Sequence, residues 1–122
     1  MSPAEDAALL LNIVRRHLRT LQLGLTDDYP NEDWGFTAQQ AVEKILKAWM
    51  VLAEQRPPRS HDLGELALQA GVELSQSLQD LQVFAVEARY EEGPFKLPAS
   101  KDELLALIGN LLEACEGQIT PQ

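Results

Sequence analysis

The stretch FTAQQAVEKILKAW, residues 36–49, carries two faces at helical spacing. At 100° per residue, Ala41, Val42, Ile45 and Trp49 form an apolar side, while Gln40, Glu43, Lys44 and Lys47 fall within about 100° of one another beside it. Glu43 and Lys47 stand in the favourable i,i+4 order. On an exposed face that pair contributes only about 0.3–0.5 kcal/mol. If the stripe is half buried, its charges need partners, because burying an unpaired charge is costly.

Working outward, apolar spacing marks five helical segments. The first runs from about Pro3 to Leu23, with Leu10, Ile13/Val14, Leu18, Leu21 and Leu25 recurring every three or four residues, and its proline suits a first turn. The second spans about Asp33 to Glu54, after the polar turn GLTDDYPNED, and RPPRS stops it because proline lacks a donor and restricts its predecessor. The third covers Asp62 to Ala70 and stops at Gly71. The fourth runs from about Leu74 to Arg89, with Leu74, Leu78, Leu81, Ala85 and Ala88 in register. After EEGPFKLPAS, the last starts at Ser100, whose spacing to Glu103 is that of a capping box, and it carries Leu104, Ile108, Leu111 and Cys115. The pattern predicts an all-α bundle, one domain over residues 1–122, without strands or repeats.

Composition narrows the function. Apolar residues make up 45% and charged residues 24%, which suits a globular chain. No apolar run approaches the ~20 residues that span a membrane. MSPAED is acidic and predicts no signal peptide. The single cysteine, Cys115, fits a reducing compartment, so a cytoplasmic location is expected. The net charge of −9 opposes broad nucleic-acid binding driven by phosphate neutralisation. The charge is uneven, however. Residues 1–61 hold seven basic and eight acidic side chains, and residues 62–122 hold three and eleven. Arg15, Arg16 and Arg19 form one basic cluster, with Arg56 and Arg59 in a second. These are either a local anion site or solvated helix faces.

The chain has two histidines, His17 and His61. His61 lies in QRPPRSHDLGEL, residues 55–66, five positions after Arg56. Two prolines separate them and break the helix that would aim both side chains. A simpler task for His61 is to hydrogen-bond to the second helix, for instance to Glu43, and tie the turn down. Asp62 or Ser60 serves as the cap of the segment behind it. His17, in RRHLR, is expected on an exposed or dimer-facing surface. Cys115 reads as a small core residue, with no neighbour to activate a thiolate. No ligand spacing predicts a metal, and no glycine-rich phosphate loop or serine elbow predicts a cofactor.

QQAVEKILKA, then SHDLGEL, then ARY at residues 88–90 resemble the HEPN domain, a family of higher eukaryotes and prokaryotes with proposed nucleotide binding. Gln40, Glu43-Lys44, Lys47-Ala48, His61-Asp62-Leu63 and Arg89-Tyr90 carry the resemblance in order, over about residues 34–90. It implies an up-and-down four- to five-helix bundle, commonly a homodimer, often paired with a separate minimal nucleotidyltransferase. Some such pairs are toxin–antitoxin systems in which the HEPN protein is an RNase. That branch uses arginine, a polar residue, a short spacer and histidine. The imidazole moves the 2′-hydroxyl proton and the guanidinium stabilises the charged phosphorane.

Here Arg89 holds the arginine's place in family order, but no histidine follows it. Arg56 with His61 matches the spacing, yet Pro57 stands where the motif is polar. The resemblance therefore leads first to a non-catalytic module that binds a nucleotide, an RNA end or a nucleotidyltransferase. In it, Lys44, Lys47 and Arg89 take phosphate, Tyr90 stacks, and Gln40 with His61 hydrogen-bonds. The alternatives are a metal-independent RNase toxin using Arg56 and His61, or Arg89, and an adaptor whose stripe is only a dimer contact. The residues alone do not separate these.

Overall fold

The computed structural model describes residues 2–119; Met1 and residues 120–122 of the domain expected over 1–122 lie outside the described residues. Helix α1 is Pro3–Leu23. Ser2 Oγ accepts from the Glu5 backbone N–H at 3.2 Å, and Glu5 Oε1 accepts from the Ser2 N–H at 3.1 Å, a reciprocal cap around Pro3. Its buried line is Ala7, Leu11, Val14 and Leu21, with Leu18 partly buried. Leu25 lies past the helix and is exposed.

Helix α2, Asn31–Leu52, starts two residues before the expected Asp33 and ends two before Glu54. The prolines are not what stops it. Glu54 adopts a left-handed φ of 57°, and the Gln55 N–H donates to the Met50 carbonyl at 2.8 Å while the Glu54 N–H donates to that of Val51 at 2.9 Å. This is a Schellman cap, complete before Pro57. Helix α3, Leu63–Ala70, is capped by Asp62 Oδ1, which accepts from the Glu65 N–H at 2.9 Å. It closes on Gly71 at φ 72°, a backbone position that suits glycine.

The expected long fourth helix is replaced by three short pieces. They are α4, Gln76–Gln79, a 3-10 helix at Asp80–Phe84, and α5, Glu87–Tyr90. The buried side chains Leu78, Leu81 and Phe84 recur every three residues, which lines them up on a three-residue turn but not on an α-helix. Val86, at φ −126° and ψ −69°, then separates α5 from the rest. Helix α6, Lys101–Ile119, begins where Ser100 Oγ accepts from the Glu103 N–H at 3.1 Å. Its buried line is Leu104, Ile108, Leu112 and Cys115, with Leu111 only partly buried.

The expected all-α bundle forms, and no strand occurs among the described residues. Helix α2 is its central rod, packed against α1, α3, α6 and the 3-10 helix. Helices α1 and α2 run antiparallel. Trp34 Nε1 donates to the Leu21 carbonyl at 3.0 Å at one end, and Pro3 and Asp6 share a depression with Val51 and Arg56 at the other. One apolar cluster joins all these elements, each buried leucine or isoleucine contributing on the order of 1.5–3 kcal/mol.

Candidate functional site

The polar stripe of α2 is half buried, and it is paired. Glu43 is only 5% exposed. Its Oε2 accepts from Lys47 Nζ at 3.1 Å, and its Oε1 meets His61 Nδ1 at 2.9 Å and Gln39 Nε2 at 3.3 Å. Gln39 Nε2 also donates to the His61 carbonyl at 3.2 Å, while Gln39 Oε1 accepts from Gln40 Nε2 at 2.9 Å. Gln40 Oε1 in turn accepts from Lys44 Nζ at 2.9 Å. A continuous ribbon thus runs Lys44, Gln40, Gln39, Glu43, then forks to Lys47 and His61.

Burial by itself raises the Glu43 carboxyl. The hydrogen bonds from His61, Lys47 and Gln39, together with the Lys47 charge, outweigh it and hold the group below its ordinary value. Glu43 therefore stays charged in the interior. Lys44 goes the other way: burial lowers it, Glu43 raises it somewhat, and Lys47 and Arg16 lower it again.

Gln39, outside the stripe that the spacing predicts, is fully buried and joins the ribbon to the turn before α3. Its signal was available, since Gln39 stands four residues before Glu43 on the same face. His17 also departs from expectation. It is half-buried, and its Nε2 is buried without a hydrogen-bond partner among the described residues. Burial first, then Lys44 and Arg16, lowers its affinity for a proton.

Arg89 joins from α5. Its guanidinium carbon lies 5.0 Å from the Phe36 ring centroid and 5.6 Å from that of Tyr90, within cation–π range. Phe36, Gln40 and Lys44 succeed one another at four-residue steps along α2, so Arg89 reaches the stripe at its first turn, about 12 Å along the helix from Lys44. Tyr90 is 77% exposed. Arg56 lies elsewhere, in the depression between the start of α1 and the end of α2, which His61 does not line.

The fold and the ribbon thus reproduce the elements behind the resemblance. A profile of the HEPN domain matches residues 7–118. The chain belongs to the HEPN family. The match takes in the N-terminal and last helices, which the motifs alone did not cover. Neither the curated proteins nor the solved structures gave a match. Within this HEPN domain no helix among the described residues is long and apolar enough to cross a membrane. Nor does any group of three or more His, Cys, Asp or Glu side chains gather to hold a metal among those residues.

Proposed function

We propose that this HEPN protein is a non-catalytic module that binds a nucleotide or an RNA end and works with a minimal nucleotidyltransferase, as one component of a toxin–antitoxin pair. Its working form is a cytoplasmic homodimer. Lys44, Lys47 and Arg89 supply positive charge to the ligand, Tyr90 supplies an exposed ring for stacking, and Gln40 and His61 supply hydrogen bonds.

The observation that carries this reading is that His61 is engaged by Glu43, while Arg56 lines a depression that His61 does not. The His61 Nδ1 is held by Glu43 at 2.9 Å, while Arg56 lines a depression with Asp6 and Glu54. A phosphorane needs its base and its guanidinium around one phosphate. Arg89 sits against Phe36 and Tyr90, a setting suited to holding a base or ribose.

Calorimetric titration of the purified protein with ATP and other nucleotides tests the reading, with measurable heat as the expected result. No heat at millimolar nucleotide, with Lys47→Ala also silent in binding a co-purified partner, removes it. RNA cleavage by the protein alone, abolished by both His61→Ala and Arg56→Ala, replaces it with the RNase reading. A dimer that covers Lys44 and Lys47 replaces it with an adaptor.

A further inference from the structure

Helix α1 ends at Leu23 with no basic side chain in its last turn, so its terminal carbonyls meet no cation of their own helix. The cation comes from more than seventy residues along the chain. Lys101 Nζ donates to the carbonyls of Gly24 at 3.0 Å, Thr26 at 2.8 Å and Tyr29 at 3.0 Å. It also lies 5.8 Å from the Tyr29 ring centroid, within cation–π range.

The helix that carries Lys101 does not explain it. Lys101 is the first residue of α6, where the helix dipole disfavours a cation. No carboxylate pairs with it among the described residues. What holds it is the match between donors and acceptors. An ammonium has three N–H donors and no acceptor, and three carbonyls converge on it. A neutral amine would turn a lone pair toward one of them, a planar guanidinium has no single point of convergence, and a fully methylated cation has no N–H to donate.

The turn has little else to fix it. Past Gly24 its own backbone hydrogen bonds are long ones, from the Leu25 N–H to Gln22 at 3.4 Å and from the Tyr29 N–H to Thr26 at 3.3 Å. Gly24 is buried, and a Cβ there would lie 2.9 Å from Trp34 Cδ1 and 3.0 Å from Tyr29 Cγ. The Trp34 indole therefore stands beside the turn.

We infer that residues 24–29 form a receptor for a primary ammonium, filled in cis by Lys101, and that the turn keeps its shape only while that ion is seated. The site is a latch that ties the end of α1 and the start of α2 to the start of α6. It also walls a cleft of about 510 Å³ that Leu25, Asp27, Asn31 and Lys96 line with Lys101, so its release reshapes that cleft. The latch is independent of the nucleotide reading above.

The test is chemical rescue, followed through Trp34 emission in the full chain carrying Trp49→Phe. There Lys101→Ala loses the emission of the parent protein. Propylammonium, which supplies the atoms that alanine lacks, restores it saturably, while tetramethylammonium and propanol at matched ionic strength do not. Lys101→Met, which keeps the stem without the charge, also loses the signal. In the wild-type protein, NMR of the lysine ammonium groups shows Lys101 exchanging its protons with water more slowly than the other lysines. A Lys101→Ala protein with unchanged Trp34 emission, or one restored equally by all three additives, overturns the inference. If that variant fails to fold even with propylammonium, the wild-type NMR decides: slow exchange at Lys101 supports the latch, and exchange as fast as at the other lysines overturns it.

Discussion

Glu43 and His61, eighteen residues apart, meet at 2.9 Å between a carboxylate oxygen and Nδ1 and pin the turn before α3 to the middle of α2. Glu43 is nearly inaccessible, whereas the His61 side chain is 64% exposed, so the two partners do not matter equally. Replacing the acid strands the Lys47 ammonium, which is only 18% exposed. Replacing the imidazole leaves Glu43 with Lys47 and Gln39. We expect Glu43→Gln to cost about 2–4 kcal/mol and His61→Ala about 1 kcal/mol, measured by urea unfolding. Equal losses would contradict this arrangement.

Gly35 sits inside α2 under the Phe84 ring, and a Cβ there would lie 2.6 Å from its carbons. Alanine normally improves a helix interior over glycine by about 1 kcal/mol. Here the sign reverses, because Phe84 is fully buried and has no room to retreat. Gly35→Ala is expected to destabilise by about 1–3 kcal/mol. A rise in the urea midpoint would show that the ring is free to move.

Glu54 occupies a position that glycine fills in other Schellman caps, at φ 57°. Its strain is relieved by removing the side chain. Glu54→Gly should raise stability by about 0.5–1 kcal/mol, and an Ala substitution, which keeps the Cβ, should not.

His17 and Glu43 separate the acid response into two windows. The folded state holds His17 below its ordinary value of 6.5, through burial and then Lys44 and Arg16. The unfolded chain therefore binds the proton more readily, and His17 lowers stability progressively as pH falls below about 6.5. Glu43 is held below 4.5, so its contribution is complete above that value and is lost only at lower pH, as the folded group protonates. Urea midpoints taken from pH 7.5 downward should fall less steeply for His17→Leu than for wild type above pH 5. Parallel curves would remove His17 from the response.

Cys115 lies fully buried on α6, and burial, helped by Glu116, pushes its thiol up to about 11. The thiol rather than the thiolate is present at neutral pH, and it is out of reach of reagents. A thiol-specific reagent such as iodoacetamide should label it at pH 7.5 only after denaturation. Rapid labelling of the native protein would contradict this burial.

The local features were legible because they are written within one or two turns of chain. Asp62 with Glu65, Ser100 with Glu103, and Gly71 all mark helix ends at sequence distances of a few residues. The 3.6-residue period alone separated the apolar face of α2 from its polar stripe. Even the bond from His61 to Glu43 was open to inference, because a short turn returns the chain to the helix it has just left.

Tertiary structure decided the rest. The stretch Leu74–Arg89 carries spacings compatible with both an α-helix and a tighter turn. In the fold Leu78, Leu81 and Phe84 are the buried side chains, at the three-residue spacing of the tighter turn. The burial of His17 depends on how α1 lies along α2, and the seat of Arg89 on Phe36 depends on a residue fifty-three positions away. Such pairings follow from helix crossing and side-chain packing. Their energies arise only once the core has closed, so the sequence supplies the partners and the fold determines which of them meet.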